Sequence, residues 1–373
     1  MKYYIIAGEA SGDLHASNLM KSLREQDSEA DFRIWGGDLM QLQGATLVKH
    51  IRDLAFMGFV EVLMNIRTIS KNLKFCKSDI LNYKPDVVIL IDYPGFNLII
   101  AKFAKLHNLK VFYYISPQIW AWKQSRIHQI KQNVDKMFVI LPFEKEFYKK
   151  HNFEVDFSGH PLSDAIAEYR KTAISKANFL NENNLNSKPI IALIPGSRKQ
   201  EIKKNLPTML SLMQEFNNYQ FVIAAAPAIL ESFLKEFTKN YEIKILYQKT
   251  YDILNNATLA IVTSGTATLE TALFRVPQVV CYKSGAISYH IAKKLIKVKY
   301  ISLVNLIMDK PVVKELIQND FNAKDLKLEM NKILENETYR NEMLENYSIL
   351  QQKVGTEGAS KKTAELMLKY LKK

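Results

Sequence analysis

The stretch that decides the fold is PIIALIPGSRKQEIKKNLPTMLSLM, Pro189 to Met213. An apolar run leads into a Pro-Gly-Ser turn, and a basic amphipathic helix follows. Residues Lys2 to Leu23, KYYIIAGEASGDLHASNLMKSL, repeat that plan with glycines at 8 and 12 in the turn. A strand, a Gly-bearing turn and a helix open a parallel α/β domain, and the turn falls at the carboxyl end of the strand, where such domains take ligands. Two openings in one chain predict two Rossmann-like domains facing each other across a cleft, each with its own site-forming turn.

Working outward from the first opening, FRIWGG (32–37), PDVVILIDYPGFN (85–97), KVFYYISP (110–117), KMFVILP (136–142) and VDFSGHP (155–161) read as further strands. Helical stretches separate most of them, so the alternation implies a parallel sheet with right-handed crossovers. Residues 164–188 begin helical, turn polar and read as the link. The second half repeats the alternation with PIIALIP, QFVIAAA, EIKILY, LAIVTSG and VPQVVCY, and a helical, Lys/Glu-rich tail runs from Asn319 to Lys373.

A chain of 373 residues with 47% hydrophobic and 24% charged residues belongs to the ordinary globular class. Its net charge of +13 fits nucleic acid, an anionic membrane surface or phosphorylated ligands. No RNA-binding or helix-turn-helix signature is present, which ranks nucleic acid last. The two cysteines, Cys76 and Cys281, make neither a disulfide framework nor a zinc motif. The first apolar stretch is too short for a signal peptide, and no segment approaches the ~20 apolar residues that span a bilayer. The expectation is a cytoplasmic protein able to lie on a membrane.

Three segments carry candidate chemistry. In LAIVTSGTATLETALF (259–274) a strand ends at Thr263-Ser264-Gly265-Thr266 and a helix begins, with Glu270 in its second turn. Backbone N–H groups and hydroxyls at a helix start suit a pyrophosphate, and Glu270 suits the two hydroxyls of a ribose. The competing reading makes Ser264 or Thr266 a simple N-cap and Glu270 a solvated residue. PGSR (195–198) offers a second anion site, with Arg198 as a planar fork, or else a plain surface arginine. Asp92 ends the apolar strand VVILID, where desolvation raises a carboxyl pKa toward that of a general base; it could instead only cap the following helix. Glu9, in GEASGD, falls at the same edge, and His160 in GHP reads as structural. There is no GxGxxG, Walker A, HExxH or Asp-x-Asp pattern, so no cofactor or metal is expected, and helix N-termini, hydroxyls and Arg198 must meet phosphate charge. Residues Ile51 to Leu81 combine Phe56, Met57, Phe59, Val60, Val62, Leu63 and Met64 with later lysines. Such a stretch is either core or a helix lying on an anionic bilayer.

Together GEASGD, IDYPGFN, YISPQIWAWK, LPFEKEFY, GHP, LIPGSR, TSGTATLE and SLVNLI, in order over nearly the whole chain, resemble the lipid-A-disaccharide synthase family. The resemblance implies the glycosyltransferase-B fold, with an acceptor-side domain over residues 1–165 onto which helix 346–373 packs back, and a UDP-sugar domain over 166–345. It implies an inverting reaction that joins UDP-2,3-diacylglucosamine to 2,3-diacylglucosamine 1-phosphate, forms the β(1→6) disaccharide of lipid A and releases UDP. Asp92 matches the family's catalytic aspartate and Glu9 its amino-terminal glutamate. Arg198, Ser264, Gly265, Thr266, Glu270 and Asn305 match the nucleotide-side residues. One departure is Gly95, where many relatives are acidic. Acylated substrates would account for a basic, apolar surface at 51–81, hence peripheral association with anionic lipid on the inner face of the inner membrane. A homodimer stays open. The rival readings are another UDP-sugar enzyme of the same fold (a cell-wall precursor transferase or a UDP-N-acetylglucosamine epimerase) and a non-catalytic nucleotide-sugar binding protein.

Overall fold

The computed structural model describes residues 1–54, 66–285 and 298–372. The chain divides into two compact units, Met1–Ala165 with Val354–Lys373, and Ile166–Lys353.

The first unit holds a seven-stranded sheet built from β1 (Lys2–Ala7), β2 (Asp31–Gly36), β3 (Thr46–His50), β4 (Val87–Ile91), β5 (Lys110–Tyr114), β6 (Lys136–Val139) and β7 (Asp156–Phe157). Every pairing is parallel, in the order β3-β2-β1-β4-β5-β6-β7. The central strand β4, VVILI, is buried along its whole length, as a strand covered on both faces must be. Side chains alternate between those faces. Tyr4 and Ile6 join Trp35, Val88, Leu90 and Tyr113 on one side; Tyr3, Ile5 and Ala7 join Leu19, Ile34, Ile89 and Phe112 on the other.

The second unit repeats the plan with β8 (Ile190–Ile194), β9 (Gln220–Ala225), β10 (Lys244–Tyr247), β11 (Ala257–Thr263), β12 (Gln278–Tyr282) and β13 (Lys314–Ile317), all parallel, in the order β10-β9-β8-β11-β12-β13. Strand order therefore reverses between β1 and β4 in one sheet and between β8 and β11 in the other. Such reversals are where open α/β sheets leave a crevice at their carboxyl edge.

Two strands, TLVKH (β3) and KELI (β13), carry no strand signal in the sequence. Both are edge strands, only partly buried, and lack the apolar run that marks an interior strand. The single helix expected over 346–373 is also two. Helix Glu337–Val354 ends before Gly355 and Gly358, whose φ values of +85° and +100° suit glycine, and helix Ala359–Leu371 follows. That last helix packs on helix Ala10–Gln26, placing Met367 and Leu368 in the sheet's second face. Asp164 caps it by accepting from the N–H groups of Gly358 (2.6 Å), Ala359 (3.2 Å) and Ser360 (2.7 Å).

Helix Ile66–Tyr83 is tied to the first sheet through Asp79. Its carboxylate accepts from Tyr4 (2.7 Å) and from both arms of the Arg33 fork (2.6 and 2.8 Å). Cys76 and Ile80 are buried, whereas Ile66, Lys71, Lys74, Phe75 and Leu81 are exposed. The apolar cluster from Phe56 to Met64, read as core or membrane-facing, lies outside the described residues. No described helix is long and apolar enough to cross a membrane.

Candidate active site

Ala7 pairs with Ile91 across the point where the first sheet reverses, so the turn carrying Gly8 and Glu9 lies beside the turn that begins at Asp92. Asp92 and Tyr93 both adopt left-handed backbone conformations, at φ of +44° and +48°. Two successive non-glycine residues in that region store strain that the surroundings must sustain. Here the Asp92 carbonyl accepts from the Tyr113 hydroxyl (2.5 Å) and the Asn97 amide (2.8 Å), and the Asp92 N–H donates to the Tyr114 carbonyl (3.2 Å). The Tyr93 hydroxyl reaches the Leu54 carbonyl (3.2 Å) while its ring packs over Gly8. A Cβ on Gly8 would lie 2.3 Å from a Tyr93 ring carbon, which explains the glycine.

The strained turn leaves the Asp92 carboxyl partly buried. Burial raises its pKa to about 7, and the charge of Glu9 pushes in the same direction, while the Tyr93 N–H opposes them. Glu9 occupies the N-cap position of helix Ala10–Gln26, which its side chain does not cap. The last residue of GEASGD, Asp13, has a different task. Its carboxylate accepts from the N–H groups of Gly37 (2.7 Å), Leu39 (3.1 Å) and Met40 (3.1 Å) and so fixes the loop after β2.

Glu144 was not singled out in the sequence, although it falls within LPFEKEFY. It is 1% exposed and accepts from four donors: Ser116 Oγ (2.5 Å), Trp120 Nε1 (3.2 Å), and the N–H groups of Ile140 (3.2 Å) and Leu141 (2.9 Å). Burial nonetheless holds its pKa up at about 7. It clamps the SPQIWAWK loop to the carboxyl edge of the sheet. His160 is buried against His15, with ring centroids 6.4 Å apart. Burial lowers the two pKa values to about 3 and about 4, and His160 Nδ1 accepts from the Leu162 N–H (3.1 Å). Both are neutral packing residues.

In the second unit Ile194 pairs with Val262, which sets the PGSR and TSGT turns side by side. Gly196 stands at φ +110°, and a Cβ there would lie 2.7 Å from Glu201 Oε2 and 3.2 Å from Glu201 Cβ. Arg198 stands exposed at the N-cap of helix Lys199–Leu210, its guanidinium 3.0 Å from Glu201 Oε1. Gly265 and Thr266 are exposed at the start of helix Thr266–Leu273. Ser264 Oγ is already committed, donating to the Ile301 carbonyl (2.8 Å). Glu270 accepts from the Tyr251 hydroxyl (3.1 Å), and burial raises its pKa against that bond.

Asn305 does not join this group through its side chain. Its amide donates to the Val313 carbonyl (2.9 Å) and to Glu315 Oε1 (2.9 Å), and its oxygen accepts from the N–H groups of Val312 (2.8 Å) and Val313 (2.9 Å). With every polar position used and 1% exposure, it locks helix Leu303–Met308 to β13.

Two parallel sheets, each with its turns gathered where strand order reverses, define a class. The chain superposes on UDP-GlcNAc 2-epimerase from Neisseria meningitidis bound to UDP-GlcNAc with a TM-score of 0.74, covering 99% of this chain and 100% of that one at 13% identity. The Methanocaldococcus jannaschii UDP-GlcNAc 2-epimerase in complex with UDP-GlcNAc and UDP gives 0.68 at 15% identity, covering 99% of both. The shared fold is glycosyltransferase-B. The sequence comparisons are narrower. The family model described as lipid-A-disaccharide synthetase matches residues 3–368. Lipid-A-disaccharide synthases of Syntrophus aciditrophicus (38% identity) and Geobacter sulfurreducens (34%) each align over 99% of this chain and 97% of their own length; that of Coxiella burnetii (36%) aligns over 97% and 96%. The chain belongs to the lipid-A-disaccharide synthase family, a family of glycosyltransferases in lipid A biosynthesis.

Proposed function

We propose that this chain joins UDP-2,3-diacylglucosamine to 2,3-diacylglucosamine 1-phosphate with Asp92 as the general base. The observation that carries the assignment is a carboxyl raised to about 7 at the point of strand reversal, ionisable at neutral pH yet basic enough to accept a hydroxyl proton. The acceptor hydroxyl gives its proton to Asp92 as its oxygen attacks the anomeric carbon opposite UDP. The bond to UDP breaks with its electron pair going to the diphosphate, and the α-linked donor becomes a β(1→6) product. Arg198 and the helix start at Gly265-Thr266 meet the developing charge on UDP, while Glu270 takes the ribose hydroxyls. Ser264 and Asn305 act by shaping the second unit's loops. In this reading the first unit serves the acceptor and the second the nucleotide. The UDP leaving group supplies the activation, so no further cofactor is needed.

Both substrates are acylated, which puts the reaction at a lipid surface on the cytoplasmic face of the inner membrane. The exposed face of helix Ile66–Tyr83, with Lys71 and Lys74 among Ile66, Phe75 and Leu81, supports anionic lipid as the partner.

The test is an assay with both acylated glucosamine substrates that scores UDP and disaccharide together. Native protein should form them in equal amounts. Asp92→Asn should turn over about 10²–10⁴-fold more slowly with UDP affinity retained, the usual contribution of a general base. Near-native turnover in that variant removes Asp92 from the mechanism. Epimerised UDP-sugar, or UDP bound without turnover, would favour the rival readings.

A further inference from the structure

The loop between β5 and helix Ile127–Asn133 is built to a higher standard than a connection requires. Ile115 opens it at φ +62°, a conformation that β-branched residues avoid, and Lys123 stands at φ +52°. Between them Ser116 and Trp120 are anchored on buried Glu144, and the Trp120 ring meets Phe143 edge-on at 4.9 Å. Backbone bonds from Ile119 to Pro117 (2.6 Å) and from Ala121 to Gln118 (3.1 Å) tighten the turn.

This rigid base carries Trp122, which is 40% exposed. Lys123 Nζ lies 4.6 Å from its ring centroid and the Arg126 guanidinium carbon 5.6 Å. Two cations are thereby ordered around one aromatic ring, which limits the rotamer freedom an anion would otherwise have to freeze. Among the described residues neither cation has an ion-pair partner. The loop leaves β5, which pairs with β4 so that Tyr114 lies opposite Ile91, and it therefore starts at the sheet edge that carries Asp92. A double cation on a loop from that edge meets the chemistry of a phosphate monoester, which offers three oxygens and close to two negative charges to an arginine fork and an ammonium.

We propose that Lys123 and Arg126, ordered on Trp122 and anchored through Glu144, form the subsite for the acceptor's 1-phosphate. The proposal rests on the acceptor reading given above. It makes Lys123 and Arg126 the residues that select a phosphorylated over a phosphate-free acceptor sugar.

The experiment compares 2,3-diacylglucosamine 1-phosphate with 2,3-diacylglucosamine as acceptors, under one saturating UDP-sugar donor, for native protein, Lys123→Gln and Arg126→Gln. Native protein should favour the phosphorylated acceptor in kcat/KM. Each variant should shrink that preference by about ten- to hundredfold, the effect of one lost charge-assisted hydrogen bond. The change should fall mainly on the acceptor KM and leave the donor KM in place. Lys123 is exposed and lies outside any α-helix, so it carries the test alone if Arg126→Gln loses its melting transition. A native enzyme indifferent to the phosphate, or variants with undiminished preference, overturns the subsite. If native protein releases UDP with neither acceptor, the reading of the reaction fails first, and the two failures are distinct.

Discussion

Asp92 sits in a backbone shape that side chains avoid, and its neighbours explain why it stays there. Tyr113, Asn97 and the β5 backbone hold its main chain, so the carboxyl is placed by bonds that do not involve the carboxyl itself. Its basicity then follows from burial first and the Glu9 charge second. A base works only when ionised, so kcat/KM should climb with pH through about 7 and level off above it. Glu9→Gln removes the second cause and should move that rising limb to lower pH. Burial persists, so the limb should remain above the ordinary carboxyl value of 3.8. A limb unmoved in Glu9→Gln, read from pH–rate profiles, would show that Glu9 does not act on the base.

At the scale of the element, strand β1, its turn and helix Ala10–Gln26 work as one fitted part. Gly8 gives room for the Tyr93 ring, which is stacked on Phe96 at 5.6 Å and follows Asp92 in the chain. Gly8→Ala forces a methyl to within 2.3–2.6 Å of three ring carbons, and a tyrosine held at both ring and hydroxyl yields only by moving the strained turn. Overpacking of this kind costs roughly 1–3 kcal/mol, and turnover should fall with it if Asp92 is the proposed base, because its turn is displaced. Gly95→Ala, in the first turn of helix Pro94–Leu106, is the control: nothing lies within 4 Å of the added Cβ, so stability should hold or rise by up to about 1 kcal/mol. Thermal melting and turnover of the two variants together check the account. Equal behaviour would mean that the Tyr93 contact is not what requires a glycine at position 8.

The whole molecule carries a net charge of +13, and helix Ile66–Tyr83 gives part of it a direction. Asp79, Cys76 and Ile80 fasten one side of the helix to the sheet, leaving Lys71 and Lys74 exposed. Binding to anionic vesicles should therefore weaken with salt, since such attraction fades beyond a Debye length of ~8 Å at physiological ionic strength. The double variant Lys71→Gln, Lys74→Gln should bind such vesicles at least about tenfold less, at ~1 kcal/mol for each lysine near the surface. Exposed lysines support no core, so its melting curve should match that of native protein. Co-sedimentation with anionic and neutral vesicles measures the effect; native-level binding by the variant would take this helix out of the membrane contact.

What the sequence determined by itself was everything set by local pattern. Apolar runs of strand length, turns rich in glycine and helices between them specify parallel α/β layers wherever they occur. The second opening at Pro189 made the two-domain plan legible, and ordered motifs made the family legible. Asp92, Glu9, the PGSR turn and Thr263 to Thr266 are legible as turn positions because each follows or ends a strand that announces itself. The tertiary structure decided what depends on partners far along the chain. β3 and β13 are strands only because a neighbour offers an edge to pair with. Asn305 matches a nucleotide-side position by motif alone, whereas in the folded chain its side chain is consumed by Val312, Val313 and Glu315. Asp13 bonds a loop 24 residues away, and Glu144 gathers donors 24 and 28 residues before it. A carboxylate reads the same in a sequence whether it faces substrate or holds a loop. The bonds it accepts distinguish the two roles, and those exist only once distant segments have packed together.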